Sequence, residues 1–173
     1  MTTGSKRVVC TAPPNDGSRD HRCGVPQVGF DAFYTYFGSD GFTYGSTARN
    51  WPKLAALAQR HGLDFIPSVG PGYVDTRVRP WNAQTTRDRD GGRYYDKMWR
   101  AATARDVAPR AVTITSWNEW HEGTQIEPAA DGARSSGGID APFKYLEYTG
   151  GGPWLYVDKT ARWATEYDPP SRA

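Results

Sequence analysis

The sequence has no apolar run approaching about 18 residues, and at a mean hydropathy of −0.71 it offers no candidate for a helix that crosses a membrane. The N-terminus likewise lacks the apolar core of a secretory signal. Charge of one sign is missing too: Lys+Arg 21 against Asp+Glu 19 leaves +2 at pH 7, which points to neither a nucleic acid nor an acidic membrane surface as partner. Cysteine is limited to Cys10 and Cys23, which are free to close a disulfide or to remain thiols. Adding His21 to them gives only three potential ligands, without the paired spacing of a structural zinc site. His121-Glu122 begins a metalloprotease motif, but the second histidine it requires falls on Gln125. Phosphate-cradling loops do not fit either: Gly70-Pro71-Gly72 lacks the third glycine of a dinucleotide fingerprint, and Gly150-Gly151-Gly152 is not followed by Lys and Ser/Thr. None of these patterns calls for a metal or a cofactor.

What the sequence has in quantity is aromatic residues, at 13% with 7 Trp and 10 Tyr. Tyr and Trp join a flat apolar face to a polar tip, which suits a core and equally suits a surface that grips an amphipathic ligand such as a sugar. A chain of 173 residues is long enough for one domain with a proper core.

Residues 1–28 hold Pro13, Pro14, Asn15, Asp16, Gly17 and a cluster of charges, and Val8-Val9 is a short apolar patch, so the stretch reads as tail or loop. From Gly29 to Phe37 the residues are aromatic and β-prone and end in Gly38-Ser39-Asp40-Gly41, which predicts a strand and a turn. Pro52 opens a helix in which Leu54, Leu57, Ala58 and His61 recur at helical spacing until Gly62. Leu63 to Val69 predicts a second strand, Arg93 to Arg105 a helix with Tyr95, Met98, Trp99 and Ala102 as its apolar stripe, and Ala111 to Trp117 a third strand. A long irregular loop follows. A last helix from about Pro153 would bury Trp154, Val157, Ala161 and Ala164, before a short tail at 168–173 containing Pro169-Pro170.

Strand, helix, strand, helix, strand, loop, helix is the grammar of parallel βαβ units in an α/β fold. Three strands do not close a barrel, and a complete eight-stranded (β/α) barrel needs about 250 residues. The sequence therefore describes either a small open α/β sheet or the terminal part of a larger structure.

The densest chemistry lies between Thr113 and Pro128. Strand alternation places Thr113, Thr115, Trp117 and Glu119 on one face, so that Glu119 emerges at the C-terminal end of its strand, where α/β folds bind ligands. Glu122 follows within reach of the same pocket if the chain turns at Gly123. Two carboxylates beside Trp117, Asn118 and Trp120 suit glycoside cleavage, one donating a proton to the leaving oxygen and one acting as base or nucleophile. Two solvated glutamates in an acidic loop would show the same spacing.

The run Ser116-Trp-Asn-Glu-Trp-His-Glu-Gly-Thr-Gln-Ile-Glu-Pro128 resembles the signature of glycoside hydrolase family 99, the endo-α-mannosidases and endo-α-mannanases. Phe30–Phe37 with Thr43-Tyr-Gly-Ser46, and Phe65–Tyr73 through Arg79-Pro-Trp-Asn82, are similar to the same family in the same order, over residues 29–167. The resemblance implies the C-terminal portion of a (β/α)8 TIM-type barrel, about three βα units with the barrel incomplete, acting on α-mannoside oligosaccharides or polysaccharides. It implies an endo-acting enzyme that retains anomeric configuration through a 1,2-anhydro sugar, with Glu122 as general acid/base and Glu119 as the base on the sugar 2-hydroxyl. Asn118, Tyr34, Tyr36, Arg79 and Trp81 would bind substrate, and neither metal nor cofactor takes part. Family members carry a much longer region before the Phe30–Phe37 strand. An exposed barrel edge then predicts self-association, and a catalytically inactive, carbohydrate-binding fragment is the alternative function. The likeness favours a secreted, periplasmic or secretory-pathway setting.

Overall fold

The structure, a computed structural model, describes residues 8–10, 29–129 and 148–170. Five short parallel strands carry it: β1 (Val8–Cys10), β2 (Ala32–Tyr34), β3 (Asp64–Ile66), β4 (Ser68–Val69) and β5 (Thr113–Ile114). β2 lies between β1 and β3, with Ala32 opposite both Val8 and Asp64, and β4 pairs with β5, with Ser68 opposite Thr113. The strands pair in parallel, as the alternating order of strands and helices requires, an isolated antiparallel bridge joins Tyr73 to Arg87, and no sheet closes among the described residues.

The stretch Leu63 to Val69, expected as one strand, is two. Pro67 has no N–H to give to a ladder, so the chain turns its pairing there: β3 faces β2 before it and β4 faces β5 after it, while the Pro67 carbonyl accepts the Thr113 N–H at 3.0 Å. Residues 8–10 correct the reading of 1–28 as tail or loop, since they add a parallel strand to the outer side of β2. The rest of that segment, with the question of a Cys10–Cys23 bond, lies outside the described residues.

Three helices complete the fold: α1 (Trp51–Arg60), α2 (Arg93–Ala102) and α3 (Leu155–Glu166). α1 opens with proline in its first turn and ends at Gly62, whose φ of +66° suits the left-handed turn after a helix. Its face of Trp51, Leu54 and Ala58 is buried, and so is the predicted α2 stripe of Tyr95, Met98, Trp99 and Ala102. These residues meet Phe33, Phe65 and Val69 from the strands in one core, with the Phe33 and Phe65 rings 5.3 Å apart.

α3 buries a different face from the one the sequence suggests. Trp154 is 59% exposed and Ala161 and Ala164 face solvent, whereas Tyr156 and Trp163 are buried. The reason is its partner. The Trp163 ring stacks on Trp99 at 6.0 Å and Tyr156 meets Tyr95 edge-on at 5.7 Å. Asp96 of α2 then accepts hydrogen bonds from Lys159 Nζ (2.6 Å), Arg162 Nη2 (2.7 Å) and Trp163 Nε1 (2.9 Å). A polar anchor in the middle of the contact rotates the helix away from its alanine face.

The C-terminal ends of β2, β4 and β5 converge tightly. A Cβ on Gly38 would lie 2.8 Å from the Cα of Gly70 and 3.0 Å from the Thr115 carbonyl, so both glycines are required by close backbone approach. Hydroxyls tie the same three strands together: Ser68 Oγ to Thr115 Oγ1 at 2.7 Å, Thr115 Oγ1 to the Tyr36 carbonyl, and the Ser68 N–H to Thr35 Oγ1 at 3.3 Å.

Candidate active site

Above this floor the segment 116–127 leaves the sheet. β5 ends at Ile114 and the strand does not run on to Trp117, so the expected alternation does not reach Glu119. The Thr115–Ser116 peptide is cis. What sets the position of Glu119 is a compact turn. Ser116 gives its N–H to the Thr124 carbonyl (2.8 Å), pairs its hydroxyl with that of Thr124 (2.8 Å), and accepts the Glu119 N–H on the same hydroxyl oxygen (2.9 Å). Residues Trp120–Glu122 form a 3-10 turn with Glu119 as its N-terminal flanking residue, and Glu122 donates its N–H to the Glu119 carbonyl at 3.2 Å. At three residues per turn, Glu122 stands one turn on from Glu119.

Gly123 closes the turn at φ +63°, and a Cβ there would meet Val74 Cγ1 at 2.7 Å and the Val74 nitrogen at 3.0 Å. The neighbouring loop is thus pressed against the turn, and the Val74 N–H donates to the Glu122 carbonyl at 2.9 Å. From behind, the buried Arg89 donates Nη2 to the carbonyls of Gly123 (3.0 Å) and Gln125 (2.8 Å), its guanidinium lying over the rings of Tyr148 and Tyr156. Trp120 Nε1 reaches Glu127 at 2.8 Å.

Glu119 is exposed and Glu122 partly buried, both beyond the C-terminal end of β5 as the sequence predicts. Arg79 is brought directly to Glu122, its Nη1 donating to Oε1 at 3.0 Å. Trp81 stands 73% exposed on the 3-10 turn Pro80–Thr85, Trp117 53% exposed, and Asn118 is exposed with its carbonyl accepting the Trp120 N–H. Tyr34 is half-buried at the end of β2, and Tyr36 lies two residues past it, 40% exposed, so the two no longer share a strand face.

Sequence reasoning missed Asp75, which is fully buried and accepts from Arg79 Nη1 (3.1 Å) and Asn82 Nδ2 (2.8 Å) on one oxygen. Burial on its own would raise its carboxyl, but hydrogen bonds from Asn82, Tyr73 and Arg79 outweigh it and hold the group below the ordinary carboxylate range. Burial, reinforced by the nearby Asp75 carboxylate, pushes the Tyr73 hydroxyl far above the usual tyrosine value. The one available signal was the four-residue spacing of Asp75 and Arg79. Arg89 carried none, and Ser116 and Thr124 stood inside the signature run without any sign of their part in shaping the turn. Among the described residues no cluster of three or more His, Cys, Asp or Glu has metal-binding geometry.

The family model for glycosyl hydrolase family 99 matches residues 17–169. Glycoprotein endo-alpha-1,2-mannosidase of Rattus norvegicus is 46% identical over 147 residues, which is 85% of this chain and 30% of that protein. The glycoprotein endo-alpha-1,2-mannosidase-like protein of Homo sapiens is 45% identical over 148 residues, again 85% of this chain and 30% of its own length. The solved GH99 endo-alpha-mannosidase from Bacteroides thetaiotaomicron superposes with a TM-score of 0.76 at 43% identity, covering 94% of this chain and 44% of that one. The chain therefore spans less than half the length of each of these relatives.

Proposed function

The chain belongs to glycosyl hydrolase family 99, and from that membership we propose that it carries the carboxylate pair of an endo-acting glycoside hydrolase that cleaves α-mannosidic linkages. The observation that supports this reading most is the single turn that presents Glu119 and Glu122 beyond the C-terminal end of β5, with a cation on the second of them. In a TIM-type barrel that end of the sheet is the catalytic end.

In the reaction we propose, Glu119 takes the proton of the 2-hydroxyl, O2 attacks the anomeric carbon, and the glycosidic bond breaks as Glu122 protonates the leaving oxygen. Water then opens the 1,2-anhydro sugar at the anomeric carbon, giving its proton to Glu122 while Glu119 returns a proton to O2. Two inversions give net retention, and no carboxylate becomes covalently bound, unlike the usual retaining scheme. Asn118, Tyr34, Tyr36 and Trp81 bind sugar in this reading, the exposed Trp81 and Trp117 offering flat faces for it.

Incubating the purified chain with an α-mannan tests the proposal. Release of oligosaccharide that vanishes in both Glu122→Gln and Glu119→Gln supports it, because each substitution removes one proton carrier and keeps the shape. Binding of mannan without any release supports instead the reading of a non-catalytic carbohydrate-binding fragment.

A further inference from the structure

The loop Tyr73–Asn82 contributes more to this site than a wall. It touches Glu122 twice, through the Val74 N–H on the main-chain carbonyl and through Arg79 on the carboxylate, and Arg79 itself is held by a carboxylate with no exposure to solvent. One guanidinium nitrogen, Nη1, makes both ionic contacts, at 3.1 Å to Asp75 Oδ2 and 3.0 Å to Glu122 Oε1. We propose that Asp75 is a positioning residue of the catalytic site: it fixes Arg79 against Oε1 of Glu122, and thereby leaves Oε2 as the oxygen that carries and delivers the proton.

The argument is one of donors and charges. Arginine has five N–H donors and no acceptor, so an oxygen facing Nη1 accepts a hydrogen bond and does not direct a proton toward it. The proton of a neutral Glu122 therefore sits on Oε2. The Asp75 charge offsets that of Arg79, so that Glu122 faces an internally balanced pair. Of the charged groups on the facing loop, Arg79 touches the Glu122 carboxylate and Asp75 touches Arg79, with the Tyr73 hydroxyl close enough to both carboxylates to feel their charge. Asn82, donating to the same Asp75 oxygen at 2.8 Å, fixes the carboxylate in turn. A purely structural Asp75–Arg79 staple would hold the loop and leave the state of Glu122 unaffected.

This inference rests on the role proposed for Glu122, and its test separates the two. The full chain with 15N-labelled arginine is compared as wild type, Asp75→Asn, Glu122→Gln, Arg79→Met and Arg79→Lys. Wild type is expected to show resolved, slowly exchanging Arg79 guanidinium resonances that shift in Glu122→Gln and collapse to an average in Asp75→Asn. Averaged resonances in wild type, or resonances unmoved by either substitution, overturn the proposal whether or not the chain hydrolyses anything. On an α-mannan, kcat is expected to fall about tenfold or more in Asp75→Asn and Arg79→Met, the loss of a charge-assisted hydrogen bond, with KM within about twofold and part of the rate recovered in Arg79→Lys. Unchanged kcat in both variants overturns the proposal. A wild-type chain without turnover counts against the proposed activity and leaves the guanidinium spectrum to decide this one. If Asp75→Asn does not fold, Arg79→Met, altered at a side chain 41% exposed, carries the kcat comparison, and the shift of the Arg79 resonances in Glu122→Gln carries the spectroscopic one.

Discussion

Gly123 shows at the scale of one residue how folding and chemistry share a position. Its φ of +63° and the 3.0 Å approach to the Val74 nitrogen forbid a side chain there, and it follows Glu122 directly. Gly123→Ala should lose about 2 kcal/mol, from the left-handed backbone and from the shift forced on Val74, and should slow turnover as Glu122 moves. Gly62→Ala is the control, because it has the same sign of φ, +66°, and open space around it. Denaturant titration should give it only about 1 kcal/mol. Equal losses in the two variants would show that the Val74 contact contributes nothing.

At the scale of elements, the docking of α3 on α2 depends on Asp96. Lys159 and Trp163 are largely buried around it, and removing the carboxylate strands a buried ammonium. Asp96→Ala should cost about 3 kcal/mol, seen as a fall of roughly 10 °C in Tm. Burial alone would raise this carboxyl, but the hydrogen bonds of Lys159 and Trp163 and the charges of Lys159 and Arg162 hold it below the ordinary range. A carboxyl depressed in the folded state stabilises above its unfolded value near 4, and that contribution is lost as pH falls through the lower folded value. Wild type should therefore destabilise on acidification below about pH 4 more steeply than Asp96→Ala. Parallel acid limbs for the two in thermal melts would contradict this.

For the whole molecule, tyrosine burial sets the alkaline limit. Burial pushes the hydroxyls of Tyr94, Tyr148 and Tyr167 each up to about 12. The unfolded chain gives up these protons first, near pH 10, so stability should fall as pH rises from about 10 to 12. A melting temperature independent of pH across that window would refute it. The sheet sets a second whole-molecule property. Among the described residues β5 pairs only with β4, and an edge of this kind is a template for pairing with another chain. Sedimentation velocity should show concentration-dependent species heavier than the 19.2 kDa monomer, and one monomeric boundary at all concentrations would remove the edge as an association surface.

What depends on local pattern could be read from the order of residues along the chain. Parallel βαβ order, the buried stripe of α2, the turn at Gly123 and the motif carrying Glu119 and Glu122 were all legible, because helical spacing, turn chemistry and motif spacing are properties of neighbours in the chain. Tertiary structure alone decided the rest. The face α3 buries was set by Asp96, 63 residues before Lys159 in the chain, and no local apolar count could show it. Pro67 divided a strand between two partners, and a strand at Val8–Cys10 formed because β2 had an open side to receive it. Asp75 reads as one more loop aspartate until Arg79 is seen to carry its charge to Glu122, 43 residues beyond that arginine. Contacts of this kind are fixed by how separate elements pack, and the energy that selects them belongs to pairs of residues the sequence keeps far apart.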